Sequence, residues 1–400
     1  MFSRRKEQPP LGLYLHIPFC AAKCAYCDFY SLPRSEEKMD AYVAALCRHL
    51  EEVSPQADRH RVDTVYLGGG TPSYLGAGRL TRLLQTVKKR YHLAPDAEIT
   101  LEANPDSAGD WRVLRKLRRT GFNRISLGVQ SSDDAILRQI GRIHTWEQVK
   151  SAAEAIRRAG FDNFSVDLIY GLPGQTMEIW RQTLADAVSL APEHISAYGL
   201  KLEPGTPLYQ RRESLPLPDD DLQADMYLWA VDFLGQNGYE QYEISNFARP
   251  GRASRHNLKY WRMAEYAGFG PGAHSDWGGV RYAYERDLDR YIAGDLRLSE
   301  SSEIPPMERE QEYIMLSLRT VEGISRREVE YRYRRSFAPM ESLFQTYAAH
   351  GLAEATEDGW RLTPRGFLVS NQIIGELLEA MGAEEADRLD KAARGDYRVV

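Results

Sequence analysis

Residues 11–27 read LGLYLHIPFCAAKCAYC, and two signals meet in them. Residues 13–17 form a short apolar run with the length of a β-strand, and the chain then passes directly into Cys20, Cys24 and Cys27. Thiols three and four positions apart on a tight loop can converge on one inorganic centre. Iron–sulfur clusters are held by cysteine thiolates, one per iron, so three thiolates on a 4Fe–4S cluster leave one iron open to an external ligand. The competing reading is structural zinc with His16 as a fourth ligand, although such sites usually show two separated ligand pairs. Buried structural cysteines fit less well, because Lys23, Tyr26 and Asp28 interrupt any apolar run. Cys47 is different: it stands at helical spacing with Val43, Leu46 and Leu50 and reads as a core residue.

Outward from this loop, apolar strands alternate with amphipathic helices. The strands are expected at 13–17, 63–67, 98–102, 124–129, 164–170 and 195–200, and helices at 36–53, 78–91, 110–119, 146–159 and 176–190. Strand and helix in this alternation indicate βαβ units and a parallel sheet. The fold class is therefore α/β. Six units are too few for a closed eight-stranded barrel, so a partial parallel (β/α) barrel is expected. Polar or glycine-rich residues recur at the carboxyl ends of the strands: the cysteine loop, Gly68 to Thr71, Glu102, Gln130 and Asp167. Barrel proteins build their sites at that face from several strands, whereas a doubly wound sheet concentrates its ligand at one switch point.

Beyond residue 200 the alternation weakens. Residues 204–218 are proline-rich and lead into a helix at 220–237. Residues 239–284 carry too many glycines and aromatics for helix interiors. Helices return at 307–318, 325–333 and 340–350, followed by a hairpin at 353–362 turning on Asp358-Gly359 and a last helix after Thr363-Pro364. That order resembles a small winged-helix-like α+β module, for which packing or partner contact is expected rather than DNA binding, since only residues 326–335 are strongly basic. The expected domains are a short arm (1–11), the partial barrel with its extension (12–303), the winged-helix-like domain (304–376) and a charged tail (377–400).

The 400 residues carry a net charge of −6, which speaks against a nucleic-acid groove or a polybasic membrane patch. No apolar run approaches membrane-spanning length, and the N-terminal MFSRRKEQPPLG lacks the hydrophobic region of a signal peptide. The expected compartment is the cytoplasm. An odd cluster of thiols there points to metal rather than to disulfides.

Gly68-Gly69-Gly70-Thr71-Pro72-Ser73 closes the second strand, where glycines let backbone groups approach a ligand. It is not a phosphate loop, because no Gly-Lys-Ser/Thr follows; read alone it is a turn. Glu102 reads as a solvated strand end, a cap, or a ligand group. Asp167 sits among Val166 and Leu168-Ile169-Tyr170, and a carboxylate in such a strand needs a partner or a ligand.

The Cys-x3-Cys-x2-Cys loop, introduced by Tyr14-Leu-His-Ile-Pro-Phe19, resembles the radical S-adenosylmethionine superfamily. More narrowly, residues 11–374 are similar to the oxygen-independent coproporphyrinogen III oxidases and their haem-chaperone relatives. The resemblance implies a 4Fe–4S cluster on Cys20, Cys24 and Cys27. It implies S-adenosylmethionine bound by Tyr14, Tyr26, Gly69, Gly70, Thr71, Glu102, Gln130, Arg142 and Asp167, with Arg142 suited to a carboxylate. An electron delivered through the cluster would cleave the sulfonium to an adenosyl radical, the protein supplying position and electrostatics. Three features favour the chaperone branch. Phe29 stands where the oxidases have a fourth cysteine, only thirteen residues precede Tyr14, and His256-Asn257-Leu258-Lys259-Tyr260-Trp261 matches a His-Asn-x-x-Tyr-Trp motif of that branch. A histidine among aromatics can ligate haem or simply pack. His256 is the candidate haem ligand and His274 its rival. The implied partners are haem as cargo, haem-accepting proteins, an electron donor and a second copy in a homodimer. The alternative function is oxygen-independent decarboxylation of coproporphyrinogen III, and a third is a radical reaction on another tetrapyrrole.

Overall fold

Alternation in the first strand sorts its side chains onto two faces. In the computed structural model, which describes residues 8–393, Leu11, Leu13, Leu15 and Ile17 of β1 (Pro10–Ile17) are fully buried in an apolar layer shared with the helices. Gly12, Tyr14 and His16 fall on the opposite face of the strand. Five more parallel strands follow in sequence order: β2 (Arg61–Gly69), β3 (Leu93–Ala103), β4 (Arg124–Gln130), β5 (Phe164–Tyr170) and β6 (His194–Gly199). Helices α1 (Met39–Val53), α2 (Ala77–Arg90), α3 (Trp111–Thr120), α4 (Asp134–Gln139), α5 (Trp146–Ala159) and α6 (Met177–Ser189) make the crossovers. α3, α5 and α6 start on side-chain caps: Asp110 accepts from Arg112 N, Thr176 from Ile179 N, and Thr145 with Gln148 forms a reciprocal capping box on α5. These are the six expected strand–helix units. β2 and β3 begin earlier than their apolar centres implied because Val62 pairs with Leu93 upstream of them.

The sheet stays open. β7 (Asn246–Ala248) adds antiparallel to β6, and β8 (Tyr266–Phe269) adds parallel to the far side of β1. An antiparallel meander continues from β8 through β9 (His274–Trp277), β10 (Val280–Tyr284) and β11 (Leu298–Glu303). Within the first unit the strands named run in the order β11-β10-β9-β8-β1-β2-β3-β4-β5-β6-β7, a partial barrel of the six parallel strands β1 to β6 extended by parallel β8 and its meander on one side and by β7 on the other. Residues 239–284 are more regular than their glycines implied, since they hold β7 to β10 and a short helix, α8 (Arg255–Trp261). Beyond the crossovers, α7 (Asp220–Gln236) occupies the expected place, and α9 (Leu288–Ala293) packs with α1.

The described residues divide into two compact units. The first runs to Glu240 and includes Ser245–Tyr260 and Ala264–Glu303; the second holds Gln241–Ile244, Trp261–Met263 and the chain from Ile304. The second unit contains α10 (Pro306–Ser317), α11 (Ala338–Ala349), α12 (Pro364–Leu368) and α13 (Ser370–Ala393) around a three-stranded sheet. Its strands are β12 (Ile324–Ser325), β13 (Ala353–Thr356) and β14 (Gly359–Leu362), with β14 central and the hairpin turning at residues 357–358. The helix expected at 325–333 is a correction: Ile324 and Ser325 pair with β14, and only a π-helical turn, Glu328–Arg332, follows. Ser325 Oγ accepts from Glu328 N and bonds Asp358, so the chain leaves the strand through a side-chain cap. α13 carries the expected tail as helix to Ala393, and the remainder of that tail lies outside the described residues, as does the arm before residue 8. Among the described residues no helix is long and apolar enough to cross a membrane.

Candidate cofactor site

The interior face of the barrel is polar, and this is what makes a site possible. Cross-strand register puts Glu102 beside Ser126, Ser126 beside Ser165, and Asp167 between Gly128 and Ser196. Glu102, Ser126, Gly128, Asp167 and Ser196 line one cavity of about 590 Å³, together with Cys20, Cys24, Cys27, Tyr26, Gly69, Gly70, Thr71, Gln130 and Arg142. Eleven of the sequence-derived site residues therefore have a common home, supplied by the cysteine loop, the glycine turn and the strands and loops that follow. Asp167 departs slightly from expectation, lying inside β5 rather than at its end.

The cysteine loop is held by backbone bonds to two other elements. Ala25 N donates to Ile140 O just past α4 (2.9 Å), and Leu208 N donates to Ala25 O (2.9 Å). Cys20 is buried, Cys24 and Cys27 are half-buried, and none is in a disulfide. Burial pushes the Cys20 and Cys27 thiols up. Arg142 lies against the loop: Nη1 donates to Cys24 Sγ (3.5 Å), and Nη2 donates to Asn104 Oδ1 (2.9 Å) and Gly128 O (2.5 Å). Three free thiols on one cavity wall, with a cation beside them, suit a cluster in which each thiolate takes its own iron. The described side chains do not bring three such groups to the spacing of a single ion.

The glycine turn needs its glycines. A Cβ on Gly69 would meet the His16 ring at 2.5 Å, and its φ is +115°. A Cβ on Gly70 would meet Phe19 O at 2.6 Å. The turn is fastened by Gly70 N to Ile17 O (2.8 Å), Thr71 N to Phe19 O (2.7 Å) and Gly69 N to Glu102 Oε2 (3.0 Å). Asn104 Nδ2 donates to Thr71 Oγ1 (3.0 Å). Glu102 also accepts from Tyr66 OH (2.7 Å); burial nevertheless raises its carboxyl to about 7, with Asp167 adding to the rise. Asp167 is raised by burial too, and three serine hydroxyls oppose the rise: Ser196 (2.7 Å), Ser126 (2.9 Å) and Ser165 (3.4 Å). Gln130 ends β4 with φ +69°, one step beyond a register shift that re-aims it.

Sequence reading missed Asn104, Tyr66, Arg124 and the serines. A hydroxyl inside each of three adjacent apolar strands, at Ser126, Ser165 and Ser196, was the signal available. Arg124 is buried, lines the cavity and has no hydrogen-bond partner for Nε among the described residues.

Two expected residues stand apart. Tyr14 donates to or accepts from His16 Nδ1 (2.9 Å) and lines a neighbouring cavity. His256 is 1% exposed and both ring nitrogens are engaged, Nδ1 with Thr64 Oγ1 (2.8 Å) and Nε2 with Tyr260 OH (2.8 Å). Its ring stacks on Tyr66, and burial lowers its pKa to about 3. An axial role would require giving up one of these bonds and exposing the ring. α8 plugs the interior: Glu98 accepts from Arg255 N and His256 N, buried Lys259 pairs with half-buried Asp63 (2.7 Å), and Asn257 faces the large cavity.

This geometry agrees with comparisons to known proteins. Residues 14–187 match the Radical SAM superfamily and residues 304–369 the HemN C-terminal domain. The solved coproporphyrinogen III oxidase HemN from Escherichia coli, a radical SAM enzyme, superposes with a TM-score of 0.80 at 26% identity, covering 93% of this chain and 90% of that one. Fold and site together define a radical SAM protein of the HemN type. The heme chaperone HemW of Lactococcus lactis is 39% identical over 93% of this chain and 98% of its own length, and that of Escherichia coli 37% over 92% and 97%. The chain belongs to the HemW family of heme chaperones.

Proposed function

We propose that the chain binds haem and delivers it to an acceptor protein, and that it carries a 4Fe–4S cluster on Cys20, Cys24 and Cys27 with S-adenosylmethionine beside it. Support for the carrier role comes from the names of its relatives and from Phe29 in the place of the oxidases' fourth cysteine. The observation that carries the cofactor assignment is the single cavity shared by three free thiols, the Gly69–Gly70–Thr71 turn, Arg142, Glu102 and Asp167. When bound, the cluster supplies an electron and S-adenosylmethionine the sulfonium bond that such an electron cleaves. The protein's own groups do the positioning. Arg142 offers a fork for a carboxylate next to Cys24. Glu102 and Asp167 accept from amino or hydroxyl groups, and Gln130 and Tyr26 close the sides. The setting is the cytoplasm, with an electron donor for the cluster and a homodimer as the working assembly.

Asp167→Ala tests the cofactor half. S-adenosylmethionine affinity by calorimetry should fall while the cluster's absorbance stays; unchanged affinity would place the cofactor elsewhere. Transfer of haem from the loaded protein to an apo-acceptor tests the carrier half.

A further inference from the structure

We infer that haem is held at the shallow cavity beside the cysteine loop, with His274 as the axial ligand, Glu300 orienting it and Arg286 taking a propionate. This inference rests on the carrier reading above and names its site.

The sequence has nine histidines. His16, His49 and His256 have both ring nitrogens hydrogen-bonded in the interior. His144 and His194 are buried, and His60 is held between Trp277 and Glu265. Of the exposed His92, His274 and His350, His274 lines the cavity beside the cysteine loop. The meander sets its chemistry. His274 pairs with Ala283 on β10, and Ala283 with Glu300 on β11, so both side chains share a face with only a methyl group between them. Glu300 Oε1 reaches His274 Nδ1 at 3.3 Å. A carboxylate on one imidazole nitrogen fixes the tautomer and leaves Nε2 with a lone pair for a metal.

The surroundings suit a porphyrin edge. The cavity, about 300 Å³, is walled by Phe29, Tyr30 and Tyr266, and Phe29 is 65% exposed. Arg286 is exposed on the rim and offers a charged fork for a carboxylate. The volume stands at the lower end of the ~300–1,000 Å³ of enclosing ligand pockets, so the seat grips an edge and permits release. Binding forms one coordinate bond from Nε2 to the iron, displacing a water or a weak ligand, with no change of oxidation state.

The test titrates ferric haem into the cluster-loaded protein and follows absorbance and electron paramagnetic resonance. His274→Ala should remove the axial-imidazole signature, and added imidazole should restore it. Glu300→Gln should weaken haem binding by about tenfold, the lower range for losing a partner of a metal-bound histidine. Arg286→Ala should weaken binding of haem and leave binding of its dimethyl ester unchanged. An unaltered spectrum and affinity in His274→Ala, with wild-type protein binding haem, would overturn this site alone. Absence of any haem binding by the wild type would overturn the carrier reading together with it.

Discussion

Four cysteines of one chemical type end in two environments, and the neighbours decide which. Cys47 packs in the apolar layer under α1 and takes only a weak bond from Thr86 Oγ1 (3.3 Å), whereas Cys20, Cys24 and Cys27 face the cavity. Cys→Ser at each of the three should abolish cluster absorbance and bound iron after anaerobic reconstitution, and Cys47→Ser should retain both. Loss with Cys47 would contradict the assignment. Glu102 gives a pH-dependent signature at the same scale. Its folded carboxyl holds a proton up to about pH 7, against an ordinary 4.5, through burial first and Asp167 next, with Tyr66, Gly69 N–H and Arg124 opposing. A group raised in this way contributes stability in full below pH 4.5 and loses it as pH rises through 7, a change on the order of 3 kcal/mol. Glu102→Gln stays neutral throughout. In thermal unfolding of protein free of S-adenosylmethionine, the variant should therefore gain on wild type between pH 5.5 and 8.5. A constant difference across that range would show that the charge is not buried.

Among the elements, α8 is the one that holds its candidate ligand motif in the interior. His256, Tyr260 and Trp261 resemble a ligand motif, yet the helix is seven residues long and spends its polar groups on β2 and β3. Removing the His256 ring leaves Thr64 Oγ1 and Tyr260 OH without their interior partner. The cost of two such buried groups is on the order of 3 kcal/mol. His256→Ala should lower the denaturation midpoint accordingly and leave the spectrum of bound haem as in wild type. A lost axial signature with unchanged stability would restore His256 as the ligand. The glycine turn is the opposite case: its sequence announced close approach, and the His16 ring and the Phe19 carbonyl occupy the very space a side chain would need.

At the scale of the molecule, six parallel strands separate an apolar outer layer from a polar interior, and the open sheet leaves that interior accessible. The loop that holds the three thiols continues into Asp28 and Phe29, which line both cavities and present no further thiol to the first. Incubation with coproporphyrinogen III, S-adenosylmethionine and a strong reductant under anaerobic conditions should accordingly yield no protoporphyrinogen, measured as porphyrin fluorescence after oxidation. Sustained conversion would favour the decarboxylase reading.

The amino-acid sequence by itself determined the six strand–helix units and the loop that carries the three thiols, but not the strands within 239–284 or the strand and turn at 324–332. Short-range physics suffices for the units and the loop: period-two and period-3.6 patterns, capping residues such as Thr145 and Thr176, and thiols a few positions apart. It also placed Gly69, Glu102 and Gln130 near strand ends, where the barrel gathers them, whereas Asp167 lies inside its strand and still faces the same cavity. Only the tertiary structure decided which polar groups satisfy one another. His256 finds Thr64 across 192 positions of chain, Asp167 finds Ser126 and Ser196, and Glu300 reaches His274 over Ala283. Such pairings depend on strand order and register, which no local pattern encodes, and a histidine bonded at both nitrogens differs from one with a free nitrogen only in what the fold brings beside it.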